Sequence, residues 1–225
     1  MTAESRSSLM HRYLDPASSL GEILFGLIMT LTFTLGAGII IEEEGREGAR
    51  ELLIALIGCN IAWGAIDAAM YLVGQLFDRG RLRRVGESVR RAPDERAAAS
   101  LVAAEMDELL EGVTSVAERE ALYKRVATNV RTKPAATGGI TKADLWGAFT
   151  SFWLVVLASA PAAVPFLFID DAHLALRVSN AVLLATLFLT GSLWARYTLG
   201  KPWLVGLCFL IGGFALVAMA IALGG

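Results

Sequence analysis

The sequence predicts an all-α integral membrane protein of five transmembrane helices, with a cytoplasmic helical hairpin between spans 2 and 3. Three observations carry this. Of the 225 residues, 55% are hydrophobic, above the roughly 45–50% of soluble domains, and the mean hydropathy is +0.56. The excess is gathered into blocks at 19–41, 52–77, 145–169, 174–195 and 202–224. Each block meets or approaches the roughly 20 apolar residues that a helix needs to cross a bilayer. Between the second and third blocks lies a charged stretch too polar to span. The chain therefore divides into a lead-in (1–18), spans 1 and 2 (19–77), an insert (78–144) and spans 3 to 5 (145–225).

The lead-in is polar, and Asp15-Pro16 followed by Ser18-Ser19 is a turn and helix-start signal. The first apolar run is longer than a signal peptide's and no small-x-small cleavage site follows, so the first span is expected to stay. Spans 1 and 2 form a hairpin across an acidic loop at 42–51. In the insert, the apolar positions Leu101, Val102, Met106, Leu109 and Leu110 have helical spacing, giving a helix over 97–111. A second, weaker helix covers 116–130, with Leu122, Tyr123 and Val126 on one face. Pro93-Asp94-Glu95 reads as a helix start with Pro in the first turn. Thr141-Lys142-Ala143-Asp144 opens span 3 as a capping box with Asp in place of Glu. Pro161 and Pro165 should kink span 3, and Pro202 opens span 5.

Orientation follows the basic residues. With the N-terminus inside, only Arg46, Arg50 and Arg177 of 20 Lys and Arg lie outside. N-in, C-out is the expected topology, in the cytoplasmic membrane of a prokaryotic cell. A net charge of −2 suggests no nucleic-acid partner. Cys59 and Cys208 lie within apolar blocks and lack CxxC spacing, so they read as two small membrane-buried side chains. Two histidines, His11 and His173, are too few for a histidine-rich di-metal oxygenase, and no Walker A loop, GxSxG or HExxH is present. An enzyme is not expected, nor is a tightly bound cofactor.

An ionisable residue inside a span needs an explanation, because Asp near a helix centre costs roughly 2.5–3.5 kcal/mol to insert. Asp67 lies near the middle of span 2. Helical spacing places Asn60, Gly64, Asp67, Tyr71 and Gly74 on one stripe, which should face protein or a hydrated path. Asp67 is then either a packing group hydrogen-bonded to a neighbouring helix or a cation and proton site. Glu22, near the cytoplasmic end of span 1, either snorkels or heads an inward stripe with Gly26 and Met29. Arg177, Ser179 and Asn180 follow Asp170, Asp171 and His173, which read as an interfacial turn paired with Arg177 or as an exit vestibule. In the insert, Glu105, Glu108 and Glu111 recur every three residues, and Glu118 and Glu120 could close the same group. This is an ordinary solvated face or a site for hard divalent ions such as Mn²⁺ and Fe²⁺.

Several segments carry a resemblance: EILFGLIMTLTFTLGAG (22–38), AWGAIDAAMYLVG (62–74), ALRVSNAVLLATLFLTGSLWARY (175–197) and the Gly-rich last span. With five spans and a charged insert between the second and third, the chain resembles the vacuolar iron transporter family. The resemblance implies a proton-coupled transporter moving Fe²⁺ or Mn²⁺ out of the cytoplasm. It also implies a homodimer whose first helices line the ion path, and a cytoplasmic carboxylate and methionine site. Two positions depart from the family pattern: Met29 stands where an Asp is usual, and Asn60 where a Glu is usual. Either the path is rebuilt around Asp67, Asn60, Met29 and Glu22, or the chain is a non-transporting membrane scaffold or partner-binding subunit that keeps the fold. A channel for another small solute is a third option.

Overall fold

A computed structural model describes residues 16–36, 38–133 and 139–222. Among the described residues every regular element is a helix: α1 (Pro16–Gly36), α2 (Gly38–Arg91), α3 (Glu95–Leu110), α4 (Val116–Thr132), α5 (Lys142–Ala158), α6 (Ala160–Phe168), α7 (Ala172–Thr198) and α8 (Pro202–Ala222). Asp15, the head of the expected helix start, and the linker residues 134–138 lie outside the described residues. Three stretches are long and apolar enough to cross a membrane: Gly45–Arg91, Lys142–Phe168 and Ala172–Thr198. Shorter apolar stretches, Ser18–Thr34 and Pro202–Leu216, lie in α1 and α8.

The chain separates into two units, one running up to Tyr71 and resuming at Lys142, the other Leu72–Thr141. In the first unit α1 packs against α5, α7 and α8, and α7 packs against α6 and α8. Leu27, Leu31, Leu56, Ala158, Ala162 and Leu183 form its main buried cluster. The hydroxyls of Thr30 and Thr32 donate back to the carbonyls of Gly26 (2.7 Å) and Ile28 (2.9 Å), and Thr34 to Leu31 (3.2 Å). Those bonds satisfy the donor of each of the three hydroxyls within an apolar helix.

Residues 42–51 correct the expectation of a loop, because they are helical apart from one break. Glu, Arg and Ala are good helix formers. The break is Gly45, at φ 58° and ψ −122°, a conformation open to glycine because it has no Cβ. Span 3 breaks as its prolines require. α5 stops at Ala158, Ser159 takes the N-cap position, and α6 resumes with Pro161 in its first turn. The Ser159 hydroxyl donates to the Val156 carbonyl at 2.7 Å. Asp171 caps α7, accepting from the Leu174 N–H at 2.9 Å. Asp170 pairs with Arg46 at 3.1 Å and not with Arg177, correcting the expected pairing.

In the second unit α2 continues without interruption to Arg91. With α3 and α4, which pack against one another, it makes a three-helix body. Val89, Ala92, Ala98, Val102, Tyr123 and Ala127 are its buried core. Arg90 Nε donates to the Val130 carbonyl (3.1 Å) and Arg131 to the Ala92 carbonyl (3.4 Å). The buried face of α3 is Ala98 and Val102, followed by Met106 and Leu110. Leu101 and Leu109 point outward, at 39% and 78% exposure. Pro93 falls before the helix, where Asp94 is the N-cap and accepts from the Ala97 N–H at 2.7 Å. α4 opens with a capping box between Ser115 and Glu118.

Candidate ion site in the membrane helices

Three helices of the first unit bring side-chain oxygens together. α1 contributes Glu22, α2 contributes Asp67 and α5 contributes Ser151. The Ser151 hydroxyl donates to Glu22 Oε1 at 3.0 Å, and the Glu22 and Asp67 carboxyls are hydrogen-bonded to one another. Asp67 Oδ2 is buried and has no hydrogen-bond partner among the described residues. No Lys, Arg or His stands among the partners of either carboxyl among the described residues. Two carboxylates side by side repel, so such a pair holds a proton or a cation between them.

The stripe on α2 explains why these groups meet. Gly64, one turn from Asp67, lies against α5, where an added Cβ would sit 2.9 Å from the Phe152 carbonyl oxygen. Glycine there lets the two backbones approach. Tyr71, one turn from Asp67 in the other direction, lies over Gly147 of α5, in the space a side chain at 147 would fill. Asn60 is fully buried, and its Nδ2 donates to the Leu56 carbonyl (3.0 Å) and to Thr30 Oγ1 (3.4 Å). Its Oδ1 has no partner. Gly74, also on the stripe, would meet nothing with a Cβ. Four of the five stripe positions thus bear on α1 or α5.

Ser151 was not singled out in the sequence. The signal was there: Asp144, Gly147, Ser151, Val155 and Ala158 are all buried in α5 at helical spacing, a small and polar stripe in an otherwise apolar run. Met29 is half-buried in α1, with no role evident from its surroundings.

The acids of the insert are not gathered. Among the described residues no group of three or more His, Cys, Asp or Glu side chains is placed to hold a metal ion. Glu105 pairs with Arg81, Glu108 is exposed, and Glu111 is the C-cap of α3. Glu118 is occupied by its cap, Oε2 accepting from the Ser115 N–H (2.9 Å) and hydroxyl (2.7 Å). Those two donors hold its carboxyl below the usual range. Asp107 accepts from the Tyr123 hydroxyl (2.7 Å) and pairs with Arg119 (3.1 Å). Burial, with the Asp107 bond behind it, pushes the Tyr123 phenol up. Near the start of α7, the Ser179 hydroxyl donates to the Ala162 carbonyl at 2.8 Å, while Asn180 Oδ1 is buried and unpartnered.

A profile described as the VIT family matches residues 79–225, well over half of the chain. The chain belongs to the VIT family. The vacuolar iron transporters are transporters and not enzymes, so this member is an integral membrane protein of a metal-ion transport family. No curated protein matches the chain significantly. The matched residues begin within the last turns of α2, so Glu22 and Asp67 both lie outside them.

Proposed function

We propose that this chain carries a divalent metal ion, Fe²⁺ or Mn²⁺, out of the cytoplasm in exchange for protons, with Glu22 and Asp67 as the station inside the membrane. The observation that carries this reading is the carboxyl pair itself. Its two acids come from different helices and, among the described residues, have no basic partner and leave one oxygen buried and unpartnered. An intramembrane acid with no basic partner is costly unless it meets a cation or a proton. One pair that takes either a proton or a metal ion gives exchange directly, because loading one expels the other.

In this reading α1, α2, α5 with α6, α7 and α8 are five spans, and the chain is N-in and C-out. The protein works as a homodimer. Met29 and Asn60 stand further along α1 and α2 as neutral ligands, and Glu108 and Glu111 act as a solvated acidic surface that concentrates cations, with Glu105 held by Arg81 beside them. The test is Mn²⁺ and Fe²⁺ flux into proteoliposomes under an imposed pH gradient, with wild type beside Asp67→Asn and Glu22→Gln. Flux in wild type and its loss in both variants is expected. Absence of flux from wild type would overturn the reading in favour of a non-transporting scaffold.

A further inference from the structure

Charged residues gather where three apolar runs end. Arg46, Glu47 and Arg50 precede the run that begins at 52, and Asp170 stands between the run ending at 169 and the one beginning at 174. The fold brings them to one place, with Arg46 paired to Asp170 at 3.1 Å and Arg50 to Glu47 at 3.5 Å. They border a cleft of about 280 Å³ whose apolar wall is Leu53, Phe166 and Ile169. Beneath it, Ala49 lies in a buried cluster with Leu52 and Leu176, against which Phe166 and Ala172 pack, so the floor is fixed. Both ion pairs of the rim are largely exposed, and exposed pairs hold weakly enough to exchange partners with a ligand. From Arg50 the same face of α2 continues through Ile54, Ile57 and Ile61 at helical spacing. These isoleucines are 63%, 44% and 46% exposed, an apolar strip that leads away from the cleft along the helix.

We infer that this cleft binds the headgroup of a phosphatidylethanolamine, a zwitterionic lipid with a primary ammonium, and that the isoleucine strip carries one of its acyl chains. The rim supplies the chemistry. Two guanidiniums offer forked donors to a phosphate, and two carboxylates offer acceptors to an ammonium. The four charges of Arg46, Arg50, Glu47 and Asp170 sum to zero. A ligand with one charge of each sign is therefore matched, whereas a purely anionic headgroup would meet two carboxylates it cannot use. A trimethylated ammonium has no N–H to donate, so a choline headgroup loses those bonds. The depth also fits, because the rim lies just past the ends of apolar runs, where headgroups lie. The cleft is near the lower bound of the roughly 300–1,000 Å³ of small-molecule sites. It takes a headgroup, and the chains need the strip. Glu22 and Asp67 play no part in this site.

The test is native mass spectrometry of the purified full chain with dioleoyl lipids that differ only in headgroup. Phosphatidylethanolamine should bind wild type about tenfold more tightly than phosphatidylcholine or phosphatidylglycerol, which is about 1.4 kcal/mol. Arg46→Gln combined with Arg50→Gln should weaken it by a similar factor. Glu47→Gln combined with Asp170→Asn should reverse the order, so that phosphatidylglycerol binds best. Glycerophosphoethanolamine, the same headgroup without chains, should not displace the lipid at equal concentration. Arg83→Gln, which breaks an exposed pair with Glu87 in the insert, should bind as wild type does. Equal binding of the three headgroups by wild type would overturn the inference, whatever the variants do. An unchanged order after Glu47→Gln with Asp170→Asn, in a variant that melts like wild type, would overturn it too, by making the rim charges incidental. Displacement by glycerophosphoethanolamine would remove the isoleucine strip from the site.

Discussion

Replacing Asp67 by Asn removes one negative charge from the pair while keeping the shape of the side chain and a donor for Glu22. Unit charges about 4 Å apart attract by about 4 kcal/mol at an effective dielectric of about 20, and a divalent ion doubles this. Returning the carboxylate to a dry site takes back several kcal/mol, which leaves about 4 kcal/mol as the net loss. That corresponds to roughly a thousandfold in Kd. The assay is Mn²⁺ binding to the purified full chain, followed by the resonance signal of the free ion, with a thermal melt of each variant alongside. Glu22→Gln should lose a similar amount. The double variant should lose less than the sum of the two, because both acids act on one ion. Asp67→Asn binding Mn²⁺ as tightly as wild type, with an unchanged melt, would refute the reasoning. The pair would then be a hydrogen-bonded packing element between α1 and α2.

Two further outcomes test the frame that holds the site. The Ser115 cap keeps the Glu118 carboxyl below its ordinary value of 4.5. Its contribution to the second unit is therefore fully present above that value and is lost as pH falls through the lower, folded one. Hydrogen-exchange protection at the Ser115 amide should fall on acidification below about pH 4.5 in wild type, and should be low and flat in Glu118→Gln. At Gly64, a valine would drive its Cβ into the Phe152 carbonyl oxygen, 2.9 Å away. Gly64→Val should lower stability by about 1–3 kcal/mol as α2 and α5 are forced apart, read as a drop in melting temperature, while Gly74→Val, with open space around it, should not.

Much of this was legible in the sequence where a local rule acts alone. Pro161 cannot donate to the helix it interrupts, so span 3 breaks at Ser159. The spacing of Asn60, Gly64, Asp67 and Tyr71 places them on one face whatever that face meets. The sequence misled where a local rule competes with packing. The run from Arg79 to Arg91 was given no element within the insert, yet arginine is a good helix former and Val89 and Ala92 had a core to join. On α3, Leu101 and Leu109 satisfy the same periodicity as Val102 and Leu110, and only the position of α4 decides which pair is buried. Glu118 is one of several acids in sequence, and its commitment to Ser115 follows from where the helix begins.

The partner of Asp67 was the least legible feature, because it depends on three helices far apart in the chain. Family membership does not supply it either, since the match starts at residue 79 and both acids precede it. Yet the departures make sense together. A pattern that puts its acids at positions 29 and 60 would place charge deep on the Thr30 side of the bundle. Here those positions are Met29 and Asn60, and the amide of Asn60 turns to Thr30 and Leu56. The charge sits instead two turns along α2 at Asp67, where a carboxylate from α1 reaches it, itself held by a hydroxyl from α5. Among the described residues the two acids thus meet one another and no base, which is what the proposed exchange of a proton for a cation requires.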